Sequence, residues 1–164
     1  MKNLHKLSGI LLITTIILTG FACQDGEESS AQSNSEENYE AQLPLIYQMA
    51  FIDRYATKLY LAGVEENWAL ADIYAHELEE VSDMIIGGNY VDEGINRSEL
   101  LETILLPQIE QMEVAIDSKD AELFQKNYQT MINSCNQCHS ISQYGLIKIT
   151  IPENNPYNQD FSAN

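Results

Sequence analysis

The stretch LFQKNYQTMINSCNQCHS, residues 123–140, decides the fold. Phe124, Tyr128, Met131 or Ile132, Cys135 and His139 recur every three or four positions, the spacing that lines side chains along one face of an α-helix. Two of the three cysteines and one of the three histidines in the 164-residue chain close that face. The same period appears three more times upstream. Leu45, Met49, Ile52, Ala56 and Leu59 mark a first helix, with Pro44 suited to its first turn and Gly63 to its stop. Asn67 is a good N-cap for a second, in which Ala71, Tyr74, Leu78, Val81 and Ile85 form the apolar stripe and Glu77, Glu79 and Glu80 lie beside or opposite it. GGNYVDEGIN, residues 87–96, reads as a turn-rich loop. Asn96 and Glu99 then open a third helix whose apolar side runs from Leu100 to Ile116. Pro107 inside it removes a backbone donor, which predicts a kink near residues 103–107. Asp117 or Ser118 is the expected cap of the fourth helix.

Four amphipathic segments joined by mostly short links predict an all-α fold, an antiparallel four-helix bundle over residues 41–140. Residues 141–164 contain Pro152 and Pro156 and no helical stripe. They are expected as an irregular, extended tail packed on the bundle.

Lys2 and Lys6 precede an apolar run over residues 7–18, then Gly20, Ala22 and Cys23, the layout of an export signal over residues 1–22. The run is too short for a permanent membrane span. It resembles a bacterial lipoprotein signal, which implies a lipid on Cys23, although Gly20 and Phe21 depart from that pattern. Ordinary cleavage and an uncleaved anchor stand as the other readings. Residues 23–40 are too polar to bury the surface that would offset their ordering, and read as a flexible acidic tether. The expected location is therefore exported, periplasmic or outer-membrane-associated, and lipid-anchored.

The formal net charge is −17 at pH 7. Without Lys2 and Lys6, the 25 acids face only the six remaining bases. That excludes nucleic acid and anionic lipid surfaces as good partners. A basic partner protein suits the charge, as does plain solubility.

Cys135-x-x-Cys138-His139 is the attachment sequence of c-type haem. Two thiols three residues apart on a helix can reach the two vinyl groups of one porphyrin, and His139, four beyond Cys135, points to nearly the same face to ligate the iron. Three rivals exist. A redox Cys-x-x-Cys expects a βαβ context near the start of a domain. Zinc needs four ligands, and His76 is the one further strong nitrogen ligand past the signal. A plain disulfide leaves His139 unexplained. His76 falls about 200° from the Tyr74 stripe, on the surface. No phosphate loop, Ser-His-Asp set or paired-histidine site accompanies the motif, and no enzyme activity is expected.

A haem motif in the last helix of a four-helix bundle resembles the class II c-type cytochromes, the family of cytochrome c′. Class I proteins carry the motif near the N-terminus instead. ENWALADIYAHELEE, residues 66–80, also looks like a segment shared by exported bacterial proteins with a haem motif. The class II likeness covers residues 43–140 as architecture. It implies one covalent haem c, with Cys135 and Cys138 as thioether residues, His139 as proximal iron ligand, and a distal side set early in helix one. Met49 is the candidate distal ligand, its alternative being core filler. Tyr47, Phe51, Tyr55, Trp68 and Tyr128 are candidate pocket walls or plain core. Class II proteins end soon after the attachment helix. The tail therefore departs from the family, either covering a haem edge with Lys148 near a propionate or extending the core. The resemblance implies a monohaem carrier of single electrons between partner proteins with basic surfaces, possible as a homodimer. Its rivals are a five-coordinate haem module that binds or senses NO or CO, and a haem-free structural lipoprotein with a Cys-x-x-Cys disulfide.

Overall fold

The computed structural model describes residues 43–163. The expected signal over residues 1–22, Cys23 and the tether over residues 23–40 lie outside the described residues. The chain is mostly helical. Helix α1 (Leu45–Val64) is followed by α2 (Trp68–Gly87), a small hairpin of β1 (Val91–Asp92) and β2 (Ile95–Asn96), α3 (Arg97–Leu100), a π-helical turn (Leu101–Leu105), α4 (Leu106–Ser118) and α5 (Ala121–Ile141). Helix α2 packs on α1 and α4, and α5 packs on α4 and α1.

Local chemistry accounts for the boundaries. The Asn67 side chain accepts from the Leu70 N–H (3.3 Å) and starts α2. That of Asn96 accepts from Glu99 (3.1 Å) and starts α3. Pro107 has no N–H for the helical ladder and its ring crowds the preceding turn. The helix widens there: the Leu106 N–H reaches back five residues to the Leu101 carbonyl, so the expected kink takes the form of a π turn. The cap of α5 differs from expectation. Helix α4 continues through Ser118 and ends at Lys119 in the left-handed region (φ 53°), which moves the cap to Asp120, whose carboxylate accepts from Glu122 (3.1 Å) and Leu123 (3.0 Å). Within the expected loop, Val91 pairs with Asn96 and Asp92 with Ile95 in an antiparallel ladder. Its two-residue turn, Glu93 and Gly94, has positive φ at both positions (51° and 77°), as a tight hairpin requires.

Gly63 does not stop α1, which runs on to Val64. A Cβ there would stand 2.0–2.6 Å from three ring atoms of Phe124, so the glycine allows α5 to press its aromatic ring onto the α1 backbone. Phe124, Leu59, Leu78, Ile109 and Met112 are almost wholly enclosed. The stripe expected in α2, Ala71, Tyr74, Leu78, Val81 and Ile85, is buried throughout.

Past α5 the described residues form no helix or strand, yet the segment is pinned at several points. Gln159 Oε1 accepts from Lys58 Nζ (2.9 Å), and Gln159 Nε2 donates to the Tyr74 hydroxyl (2.6 Å). The Asn67 side chain donates to the Phe161 and Ser162 carbonyls (3.2 and 2.9 Å), and Phe161 is buried. The tail thus runs from the end of α5 to the turn between α1 and α2. Among the described residues, no helix is long and apolar enough to cross a membrane.

Gly63→Ala should lower stability by about 1–3 kcal/mol through overpacking against Phe124. Gly87→Ala, where an added Cβ meets nothing within 4 Å, should be neutral or stabilising by up to about 0.5 kcal/mol. Urea unfolding midpoints of the two variants measure this contrast.

Burial, followed by the charges of Glu79, Asp72, Glu110 and Asp117, raises the Glu113 carboxyl above its ordinary value. A raised folded-state value means that the stability linked to Glu113 is fully present below the unfolded value and is lost as pH rises through the folded one. Glu113→Gln should therefore stabilise the protein at pH 7 by a few tenths of a kcal/mol, with screening by solvent keeping the effect small. The gain should vanish near pH 4 when unfolding curves are compared.

Candidate functional site

The motif occupies the last two turns of α5. Cys135 continues the buried stripe of Phe124, Tyr128 and Met131 and is 9% exposed, while Cys138 and His139 are half-buried. Contacts between α5 and α1 fall in the first half of α5 and the second half of α1. Gly63 meets Phe124, the Tyr60 and Tyr128 rings lie 4.6 Å apart, and the Tyr128 hydroxyl donates to the Ala56 carbonyl (3.1 Å). Asp53 is near enough to Cys135 for its charge to act on the thiol. Met49, one turn before Asp53, is partly buried against the core.

The two thiols have different further neighbours. Cys135 lies within range of Asp53 on α1, whereas Cys138 Sγ lies 3.7 Å from the Leu100 carbonyl at the end of α3. Among the described residues no three His, Cys, Asp or Glu side chains gather as a metal site, so Cys135, Cys138 and His139 do not share one coordination point. Zinc would require that convergence. Both thiols are free. Burial, then the neighbouring Cys138, pushes the Cys135 thiol up to about 12, and burial also raises Cys138. A nucleophilic or disulfide-exchanging pair depends on the opposite shift, toward thiolate.

His139 Nδ1 lies 3.0 Å from the Ile147 carbonyl. A carbonyl oxygen only accepts, so Nδ1 carries the proton in this contact and a neutral ring presents its Nε2 lone pair. The C-terminus of α5 closes on the motif's own carbonyls: Ser142 N–H donates to that of Cys138 (2.8 Å) and Tyr144 N–H to that of His139 (2.7 Å). Asn136, inside the motif, makes two bonds to Ile149, from Nδ2 to its carbonyl (2.9 Å) and from its N–H to Oδ1 (2.8 Å).

Other sequence candidates fall elsewhere. Tyr47 and Phe51 face outward, at 59% and 39% exposure, because they lie off the buried side of α1, and so they line no interior pocket. Tyr128 is core, Tyr55 and Trp68 pack partly against it, and Lys148 is exposed. His76 is on the surface between Glu79 (3.8 Å) and Glu80 (3.3 Å). Two surface depressions, one bordered by Asn89, Asn96 and Glu102 and the other by Val64, Glu65 and Asp160, include no residue of the motif.

Two residues near the motif escaped sequence reading. Asn136 lies off the apolar stripe and gave no periodic signal. Arg97 is buried, with Nη1 3.1 Å from Asp92 Oδ2, its guanidinium 5.2 Å from the Tyr144 ring centre, and no partner for Nε. Its readable sign was a cation opening a helix, at the end where the dipole disfavours positive charge.

Comparison with protein-family models, curated proteins and solved structures finds no match.

In the haem-free folded protein, a thiol reagent at pH 8 should modify Cys138 slowly and Cys135 more slowly still. A rise from 9 to about 12 lowers the Cys135 thiolate fraction by on the order of 10³. Both should react at ordinary rates in urea, a difference that stopped-flow absorbance measures.

Proposed function

We propose that this protein is an exported monohaem c-type cytochrome, an antiparallel four-helix bundle of class II type, which carries single electrons between partner proteins. The observation that carries the reading is the donor set on one turn of α5: two free thiols three residues apart, and an imidazole whose Nδ1 is engaged by a carbonyl so that Nε2 remains open. These donors suit haem c. A porphyrin takes each sulfur at a separate vinyl group and a single nitrogen at its iron, so these donors need not meet at one point, whereas zinc needs all donors there. When bound, the haem supplies an iron that gains and loses one electron.

In this reading Cys135 and Cys138 hold the cofactor covalently and His139 is the proximal ligand. The class II likeness makes Met49, partly buried on α1, the candidate distal ligand; a thioether there would favour ferrous iron and raise the potential. The apolar core between α1 and α5 excludes water from the iron's surroundings. The acidic surface favours brief contacts with basic redox partners, at rates that fall with added salt. A lipid on Cys23 and the tether over residues 23–40 would keep the domain near a membrane on the outer side of the export pathway.

The chain, purified from cells that mature c-type cytochromes, should be red and give a pyridine-haem spectrum of one thioether-linked haem per chain, lost in Cys135→Ala/Cys138→Ala. Colourless wild-type protein with its thiols free or joined would end the reading in favour of a structural lipoprotein. With Met49 as ligand, carbon monoxide should bind the reduced wild type poorly and Met49→Ala readily. Equal, rapid binding by both would transfer the assignment to a gas-binding haem module.

A further inference from the structure

We propose that the C-terminal tail supplies the proximal hydrogen bond of the haem site, and that Asn136 is the positioning residue that holds it there; this rests on the haem reading above. The bond runs from His139 Nδ1–H to the Ile147 carbonyl, 3.0 Å away. It sets the tautomer, since an imidazole that donates from Nδ1 leaves the lone pair on Nε2, and it makes that nitrogen a stronger donor to a metal.

Ile147 has little else to keep its carbonyl in place. It lies in a segment without helix or strand, its side chain is 47% exposed, and Leu146 before it projects wholly into solvent. Ile147 N–H donates to the Tyr144 carbonyl (2.8 Å), and Tyr144 N–H to the His139 carbonyl (2.7 Å), which ties the start of the segment to the end of α5. The tie that follows the Ile147 carbonyl comes two residues later. Both functional edges of the Asn136 carboxamide are engaged by Ile149, Oδ1 by its N–H and Nδ2 by its carbonyl. Asn136 precedes His139 by three positions, so carboxamide and imidazole stand on adjacent turns of α5, matched to two tail residues about 7 Å apart in an extended chain. An alanine at 136 removes both bonds. The far end of the tail keeps its own anchors at Lys58, Tyr74 and Asn67.

Loss of the clamp frees the Ile147 carbonyl to drift and weakens the Nδ1–H bond. A less basic Nε2 stabilises ferric iron less, so the reduction potential rises. General loosening of the tail should not have this effect, which separates a positioning role from a merely structural one.

The test uses the full-length chain, wild type, Asn136→Ala and Gln159→Ala, each in haem-free and haem-bound form. In haem-free protein at pH 8, imidazole ¹⁵N shifts should show His139 protonated at Nδ1 in wild type and in Gln159→Ala, and mainly at Nε2 in Asn136→Ala. In the haem-bound proteins, redox titration should give an upward shift for Asn136→Ala and none for Gln159→Ala. A wild-type His139 protonated at Nε2 overturns the proposal without any variant. So does an unchanged potential in haem-loaded Asn136→Ala, or an equal shift in Gln159→Ala. Colourless wild type would sink the haem reading instead, while the tautomer result would still judge the clamp by itself.

Discussion

The ring of Phe124 fills the space that a side chain at position 63 would need, and the placement of everything near the motif follows from that contact. A glycine at this point lets the α1 backbone rest on an aromatic face. Tyr128, one turn further along α5, then brings its hydroxyl to the Ala56 carbonyl. Burial of two such rings contributes roughly 2–3 kcal/mol each, and the hydroxyl makes the register selective. Sliding α5 by a turn would strand a buried phenol without a partner, at a cost of about 1–3 kcal/mol. The Tyr128 hydroxyl is held far above its ordinary range, first by burial, so it stays neutral and keeps its donor. These contacts at Gly63, Tyr60 and Ala56 fix the first half of α5 against the second half of α1.

A second constraint acts at the other flank of the motif. The guanidinium of Arg97 is buried at the start of α3, which costs several kcal/mol unless compensated. The hairpin and tail provide the compensation, Asp92 through an ion pair and Tyr144 through its ring face. Ser98, the next residue, donates to the Ile85 carbonyl (2.6 Å) and accepts from the Tyr90 N–H (2.8 Å), which stitches the hairpin to α2. The π turn that follows reconciles this anchored start with Pro107, and the Leu100 carbonyl just before it faces Cys138. The short strands thus form part of the scaffold around the motif.

The helices were legible because their signals are local. Stripes at intervals of three and four, asparagine caps and one awkward proline each act within a turn or two, and the structure carries all of them. What misled was chemistry with a distant cause. Gly63 has the composition of a helix stop, and only the ring of Phe124, 61 positions away, explains its place inside α1. Lys119 takes a left-handed conformation that nothing in its side chain announces, so the cap moved to Asp120. Tyr47 and Phe51 read as apolar material but fall outside the buried arc of α1. At the candidate site, the motif itself is local and was plain. Asn136 and Arg97 became visible only when the tail and hairpin were in place, since their partners lie 13 and 47 positions beyond them or on another element.

The tail and the buried thiols together bear on the order of events under the proposed function. A thiol raised to about 12 is a poor nucleophile, and Cys135 is 9% exposed behind α1. Thioether formation needs thiolate character and access, and the packed chain denies both. Under the proposed function, attachment would come before α1 closes on α5, while Cys135 is still open. The tail lies after the motif in the sequence and docks on α5 through Asn136 and on α1 and α2 through Lys58 and Tyr74, so its docking belongs to the same closure. Closure then does two things at once. In a haem-bearing chain it would exclude water from the porphyrin, and it brings the Ile147 carbonyl to the imidazole that would ligate the iron. A chain that folded first would bury the thiols and engage Asn136 with Ile149, and it would resist loading for the same reasons that a loaded chain retains a defined proximal ligand.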